Sequence, residues 1–172
     1  MKHIVVLIAL ILTVFPAHAT PLTGTFPSID GGTLAIEDWR GRPVLVVNTA
    51  SRCAFTRQYD ALQRLYDNYA DQGLVVLAVP SDDFRQEFST AGEVKEFCEV
   101  NFDLTIPMTD ITKIRGHEAH PFYRSLREFG FVPRWNFNKV LIGPDGNLVE
   151  TFGSAVKPLS PAITRRIEAL LN

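Results

Sequence analysis

The residues here that could do redox chemistry are two cysteines, and what each can do depends on its surroundings. Cys53 lies in Asn48-Thr49-Ala50-Ser51-Arg52-Cys53-Ala54-Phe55-Thr56, between an apolar run and a stretch of helical periodicity. That junction is the carboxyl end of a strand, where open α/β sheets collect their sites. The start of a following helix offers unpaired N–H groups and a positive dipole end, and both favour a thiolate over a thiol. Arg52 and Arg57 add positive charge nearby. A cysteine so placed is a nucleophile, whereas the same residue in apolar surroundings is an inert core thiol. Cys98, in Glu96-Phe97-Cys98-Glu99, falls beside Phe97 on a partly apolar helical face. No Cys-x-x-Cys dithiol pattern is present. His117 and His120 stand in a polar loop far from either cysteine, so no metal site and no bound cofactor are expected.

The elements that must position these residues follow from periodicity. Residues 43–50 (PVLVVNTA) form a β-branched run with few polar members, as expected for a buried strand. After Cys53 the period becomes helical through Tyr59, Leu62, Leu65, Tyr66 and Tyr69, with Gly73 as the stop. Residues 74–79 (LVVLAV) give a second buried strand, and Val94, Phe97, Cys98 and Phe102 mark a second helix. A short extended piece at 104–108 and a short helix at 121–129 come next. Strands at 139–142 and 148–152 flank Pro144-Asp145-Gly146-Asn147, a strong hairpin turn. The closing helix, 161–171, directs Ile163, Ile167, Leu170 and Leu171 inward. Residues 20–42 read as a lead-in of short apolar patches with a turn at Asp30-Gly31-Gly32. The order predicts an α/β fold, a mixed β-sheet flanked by helices on both faces, for which a thioredoxin-like arrangement fits best.

A chain of 172 residues with 46% hydrophobic and 21% charged residues suits one soluble domain with its own core. The formal net charge of -2 gives no reason to expect a nucleic-acid partner. Lys2 and His3 precede an apolar run too short to span a bilayer comfortably, and Ala17-His18-Ala19 has the small-x-small form of a cleavage site. Residues 1–19 are therefore expected to be a secretory signal peptide cut after Ala19, the domain occupying 20–172 and residing in the periplasm or outside the cell. An uncleaved anchor is the alternative. Two cysteines in an exported protein are also commonly one structural disulfide, and their count alone favours that reading.

The surroundings of Cys53 shift the balance. Asn48 to Thr56 closely resembles the signature of glutathione peroxidases, in which Asn-x-Ala-Ser-x precedes the reactive cysteine or selenocysteine; Ala54 stands where the family has glycine. Trp135-Asn136-Phe137-Asn138-Lys139 is similar to the family's Trp-Asn-Phe-x-Lys segment, and Ile106-Pro107-Met108 and His120-Pro121-Phe122-Tyr123 fall where the family has similar pieces. The resemblance runs from about Gly31 to the C-terminus. It implies a catalytic set of Cys53, Gln86, Trp135 and Asn136, with Gln86 matched across a segment that departs from the family. Val79-Pro80-Ser81-Asp82-Asp83-Phe84 replaces the usual sequence, one residue is missing before Gln86, and Phe88 stands in place of proline. Two acids so close to Cys53 would oppose a thiolate if they faced it.

The resemblance also implies a thiol peroxidase for hydrogen peroxide and organic or lipid hydroperoxides. Cys53 would be oxidised to a sulfenic acid, Cys98 would resolve it as a redox-active disulfide, and a thioredoxin-like dithiol protein or glutathione would supply electrons. Only residues 124–134 separate Tyr123 from Trp135, so the insertion of tetrameric members is absent and a monomer is expected. A non-enzymatic redox sensor or relay protein using the same Cys53–Cys98 pair is the alternative.

Overall fold

Two β-branched runs form the middle of the sheet. In the computed structural model, which describes residues 20–172, β3 (Val44–Thr49) and β4 (Val75–Pro80) are buried along their whole lengths. They pair in parallel from Val44↔Val75 to Thr49↔Pro80, with helix α1 (Gln58–Tyr69) as the crossover. On the other side of β3, β5 (Lys139–Ile142) runs antiparallel, and β6 (Leu148–Phe152) pairs with β5, giving the order β4-β3-β5-β6. The mixed sheet with helices on both faces is the thioredoxin-like arrangement expected from the sequence. The expected signal peptide lies outside the described residues.

Alternation along β3 assigns the two faces. Leu45 and Val47 join Tyr59, Leu62 and Leu65 of α1, Val94 and Cys98 of α2 (Ala91–Phe102), and Ile163 and Ile167 of α4 (Pro161–Leu171). Val44 and Val46 point the other way, against Phe26, Ile36 and the α3 (Pro121–Ser125) residues Phe122 and Tyr123. Each fully buried leucine in these layers stabilises the fold by roughly 2 kcal/mol over an exposed one. Leu170 and Leu171, expected to face inward, are only half-buried at the rim.

Residues 20–42 hold more structure than the sequence suggested. Strands β1 (Thr25–Pro27) and β2 (Thr33–Ala35) pair across Gly31 and Gly32, both at positive φ, and a 3-10 turn (Ile36–Trp39) follows. Three-residue strands are too short to carry a readable alternation. The piece around Pro107 docks on β4: the Ala78 N–H donates to the Pro107 carbonyl and the Thr109 N–H to that of Ala78. Helix α2 opens on a reciprocal Thr90–Glu93 capping box.

At the β5–β6 hairpin, Gly146 has φ 83° and lies against the Arg40 guanidinium, where a Cβ would sit 1.5 Å from Nη1. The Leu22 N–H donates to the Gly146 carbonyl at 2.8 Å, and Arg40 Nη2 donates to the Leu22 carbonyl at 2.7 Å. The start of the domain is thereby fastened to this turn.

Candidate active site

Beyond Thr49 the chain leaves β3 through a series of tight turns that carries Cys53, which is 8% exposed. Thr56 organises the series. Its hydroxyl accepts from the Cys53 N–H at 3.0 Å and lies 2.9 Å from the Ala50 carbonyl and 2.7 Å from that of Cys53, either of which can take its proton. Backbone turns from Thr56 to Cys53 and from Gln58 to Phe55 step the chain into α1. The helix begins only at Gln58, so Cys53 precedes its first turn instead of capping it. The donor at the thiol is a turn amide: the Phe55 N–H points at Cys53 Sγ at 3.5 Å. Arg52 and Arg57 are exposed, and the Arg52 guanidinium lies over the Phe88 ring, 4.4 Å from its centre.

Gln86 and Asn136 come together beside this turn. The Arg52 N–H donates to the Gln86 carbonyl at 2.8 Å, and Asn136 Nδ2 donates to Gln86 Oε1 at 2.9 Å. With Oε1 engaged, Gln86 Nε2 makes no hydrogen bond among the described residues and remains a free donor. Asn136 is fully buried, and its Oδ1 has no partner among the described residues. Trp135 is 40% exposed, its ring 5.1 Å from that of Phe84.

The backbone is strained at both residues' neighbours. Arg85, before Gln86, has φ 57°, and Phe137, after Asn136, has φ 59°. A bulky residue in that region costs on the order of 1–3 kcal/mol and persists where surrounding contacts over-determine it. At Phe137 Asn48 supplies them: its carbonyl accepts from the Phe137 N–H at 2.6 Å, and its Nδ2 donates to the Trp135 carbonyl at 3.0 Å. Ser154 adds another tie, donating to the Asn136 carbonyl at 2.6 Å while accepting from Asn138 Nδ2.

The two acids that threatened a thiolate are turned to other work. Asp83 Oδ2 accepts from the Ile114 and Arg115 N–H groups, and its Oδ1 pairs with Lys113 at 3.4 Å. Asp82 Oδ1 accepts from the Glu87 N–H. Both build the loop that presents Gln86.

Cys98 is 1% exposed on the inner face of α2, and burial pushes its thiol up to about 12. Both cysteines are free thiols, packed in the same apolar cluster. His120 is occupied structurally: its Nδ1 accepts from the Phe122 N–H, its Nε2 faces the Thr25 carbonyl, and its ring stacks on Phe26.

Lys139 is a buried cation without a carboxylate. Its Nζ donates to Gln58 Oε1 at 2.6 Å and to the Val156 carbonyl at 2.7 Å, with the Ser154 carbonyl at 3.4 Å. Burial lowers its pKa from 10.5 to about 7. Between those values the unfolded chain keeps a proton that the folded one has lost, so unfolding becomes harder as pH rises through the window. The benefit is lost again as pH falls toward 7. Urea unfolding of wild type and Lys139→Met is therefore expected to diverge with pH. Wild type gains on the variant by on the order of 2–3 kcal/mol between about pH 7 and 9.5. Titration of Cys98 is common to both proteins and cancels. A difference that stays flat would mean that the three oxygens hold the ammonium charged throughout.

Asn48, Thr56 and Lys139 stand within the sequence motifs, whereas Glu87 and Ser154 belong to none. Asn48, polar in an apolar strand, and Thr56, three residues past the cysteine, each left a trace. Ser154 and Glu87 act through contacts with distant residues and left none.

A thioredoxin-like sheet that ends one strand in a nearly buried thiol, with a bonded glutamine–asparagine pair beside it, is the arrangement of a thiol-redox class of protein. The chain belongs within that class to the glutathione peroxidase family, whose model, described as Glutathione peroxidase, matches residues 23–127. The glutathione peroxidase of Lactococcus lactis subsp. cremoris is 39% identical over 136 residues, 76% of this chain and 87% of that protein. Hydroperoxy fatty acid reductase gpx1 of Synechocystis sp. is 37% identical over 156 residues, 84% of this chain and 91% of that one. The crystal structure of T. cruzi GPX1 superposes with a TM-score of 0.67 at 28% identity, over 86% of this chain and 93% of that one. The protein is accordingly a peroxidase that reduces hydroperoxides at the expense of a thiol.

Proposed function

We propose that Cys53 is the residue that attacks the peroxide, with Gln86, Trp135 and Asn136 around it and Cys98 as the resolving thiol. The observation that carries this reading is the bonded Gln86–Asn136 pair, fastened through the Arg52 amide to the residue beside Cys53. A Cys53 thiolate attacks the distal peroxide oxygen, forming an S–O bond as the O–O bond breaks and the other oxygen leaves as hydroxide or alkoxide. The Phe55 N–H and the free Gln86 and Trp135 donors are the groups available to that developing charge. Asn136 acts by orienting Gln86. Cys98 then attacks the Cys53 sulfenic acid, releasing water and forming a disulfide that a thioredoxin-like dithiol protein or glutathione opens. Because Cys98 faces inward, α2 must loosen locally before the sulfurs meet.

The substrate range extends from hydrogen peroxide to bulky lipid hydroperoxides. The exposure of Trp135 beside the short 124–134 connection supports this, as does the activity named for the Synechocystis relative. The protein works as an exported monomer, periplasmic or secreted, without a bound cofactor, after cleavage behind Ala19.

Intact mass tests the reading. One equivalent of hydroperoxide is added to the reduced 20–172 chain, wild type and Cys98→Ser side by side. Wild type is expected to lose two hydrogens, and the variant to gain one oxygen on Cys53. No mass change in either protein would remove Cys53 from the reaction. Oxygen retained by wild type would remove Cys98 alone.

A further inference from the structure

Beneath the Cys53 turn the core holds a concentration of polar atoms without partners. Thr49 Oγ1, Ser51 Oγ, the Tyr59 hydroxyl and Glu87 Oε2 are all buried and make no hydrogen bond of ordinary geometry among the described residues. Each such group costs about 1–3 kcal/mol if left so, and four around one spot are not explained by packing. Glu87 is 5% exposed. Its Oε1 accepts from the Ser51 N–H at 3.0 Å and the Phe88 N–H at 2.9 Å, which aims Oε2 into the cluster. The Tyr59 hydroxyl lies against Cys98 and Thr49 and feels the Glu87 charge, as does Cys98 itself. Asp82 faces Glu87 and Glu99 faces Cys98, while Lys95 lines the same recess as Cys98 with its ammonium paired to Asp30 and Glu99. The nearby Arg52 is turned out over Phe88.

We propose that Glu87, acting through the Tyr59 hydroxyl, accepts the proton that Cys98 gives up when it attacks oxidised Cys53. The proposal rests on Cys98 being the resolving thiol. A buried thiol held near 12 is almost wholly protonated at neutral pH and is a poor nucleophile until a base relieves it. Burial raises the Glu87 carboxyl above the ordinary carboxylate range, making it a stronger base than a surface glutamate. Its bond to the Ser51 amide keeps it on the Cys53 side, so it stays with the reaction when α2 moves. In the step, the Cys98 S–H proton passes to Glu87 as the sulfur pair attacks Cys53 sulfur. The S–S bond forms, the S–O bond breaks, and the departing hydroxide takes the proton back as water. Cys98 is oxidised, the Cys53 sulfenic acid is reduced, and Glu87 ends as it began.

The test is quench-flow with intact-mass readout on wild type, Glu87→Gln, Glu87→Asp and Tyr59→Phe. Cys53 oxidation is timed in the Cys98→Ser background and disulfide formation with Cys98 present. Glu87→Gln is expected to slow disulfide formation at neutral pH by roughly 10- to 100-fold more than it slows Cys53 oxidation. Its disulfide rate should climb more steeply with pH than wild type between about pH 5.5 and 9, and Glu87→Asp should restore part of it. Tyr59→Phe keeps the ring and removes the relay, and a loss of roughly 3- to 10-fold in the same step is expected. Equal slowing of both steps by Glu87→Gln would make Glu87 a support for the turn and overturn the proposal. A wild-type rate and pH profile in either Glu87→Gln or Tyr59→Phe would overturn it too. Wild type that forms no disulfide overturns the resolving role of Cys98 and this proposal with it; the preceding outcomes leave that role standing.

Discussion

Cys53→Ser lowers hydroperoxide reduction by at least about 10³-fold, with folding unchanged. The expectation follows from what serine keeps and what it lacks. A hydroxyl fits the space of the 8%-exposed thiol, and the ties from Thr56 to the Cys53 backbone do not involve the side chain. What disappears is the polarizable, nucleophilic sulfur that the peroxide oxidises. Cys98 cannot substitute for it, because burial keeps that thiol protonated and out of contact with solvent. Peroxide consumption with a dithiol regenerating system measures the effect, and circular dichroism checks the fold. A variant that keeps more than a tenth of wild-type turnover would place the reaction elsewhere.

Asn136→Ala has the next largest expected effect on chemistry, a loss of roughly 10- to 100-fold in the rate of Cys53 oxidation. Two consequences of one truncation add up. Gln86 loses the donor that fixes its Oε1, so its free Nε2 is no longer held in one direction. Asn136 is also fully buried, and the cavity left behind loosens a segment already strained at Phe137. If Asn136 acts through Gln86, the two truncations are strongly non-additive. Gln86→Ala should cost about 10-fold in wild type and less than about 3-fold in the Asn136→Ala background. Stopped-flow traces of oxidation, all in the Cys98→Ser background, separate this from any effect on resolution. Full additivity would mean that each side chain meets the peroxide by itself.

The parts of the fold legible in the sequence were those whose signal is local and repeated. The valine-rich β3 and β4 could not be mistaken, and Pro144 to Asn147 announced the β5–β6 hairpin almost to the residue. Strands β1 and β2 escaped because three residues hold no period. The start of α1 was read too early, since Thr56 ties the chain into turns that mimic helical spacing before a helix exists. The site was legible as a set of motifs but not as a geometry. Nothing near Asp82 and Asp83 says that their carboxylates turn towards backbone amides, and nothing near Glu87 says that it reaches Ser51. Those facts belong to the meeting of distant segments. The strained Arg85 and Phe137 are likewise invisible until the chain is folded, yet they bracket Gln86 and Asn136.

The fastening of Leu22 to the β5–β6 turn settles which way the molecule faces when something holds its front end. That turn lies at the Val44 end of β3, and Cys53 lies beyond the Thr49 end, a strand length of about 20 Å away. Anything joined ahead of Thr20 therefore leaves from the pole opposite the thiol. A bead, a fusion partner or a retained membrane anchor held close to that pole would leave Cys53 facing outward. A tethered form would draw peroxides and reductants from the surrounding water, and lipid hydroperoxides of its own bilayer would have to leave that bilayer to reach it.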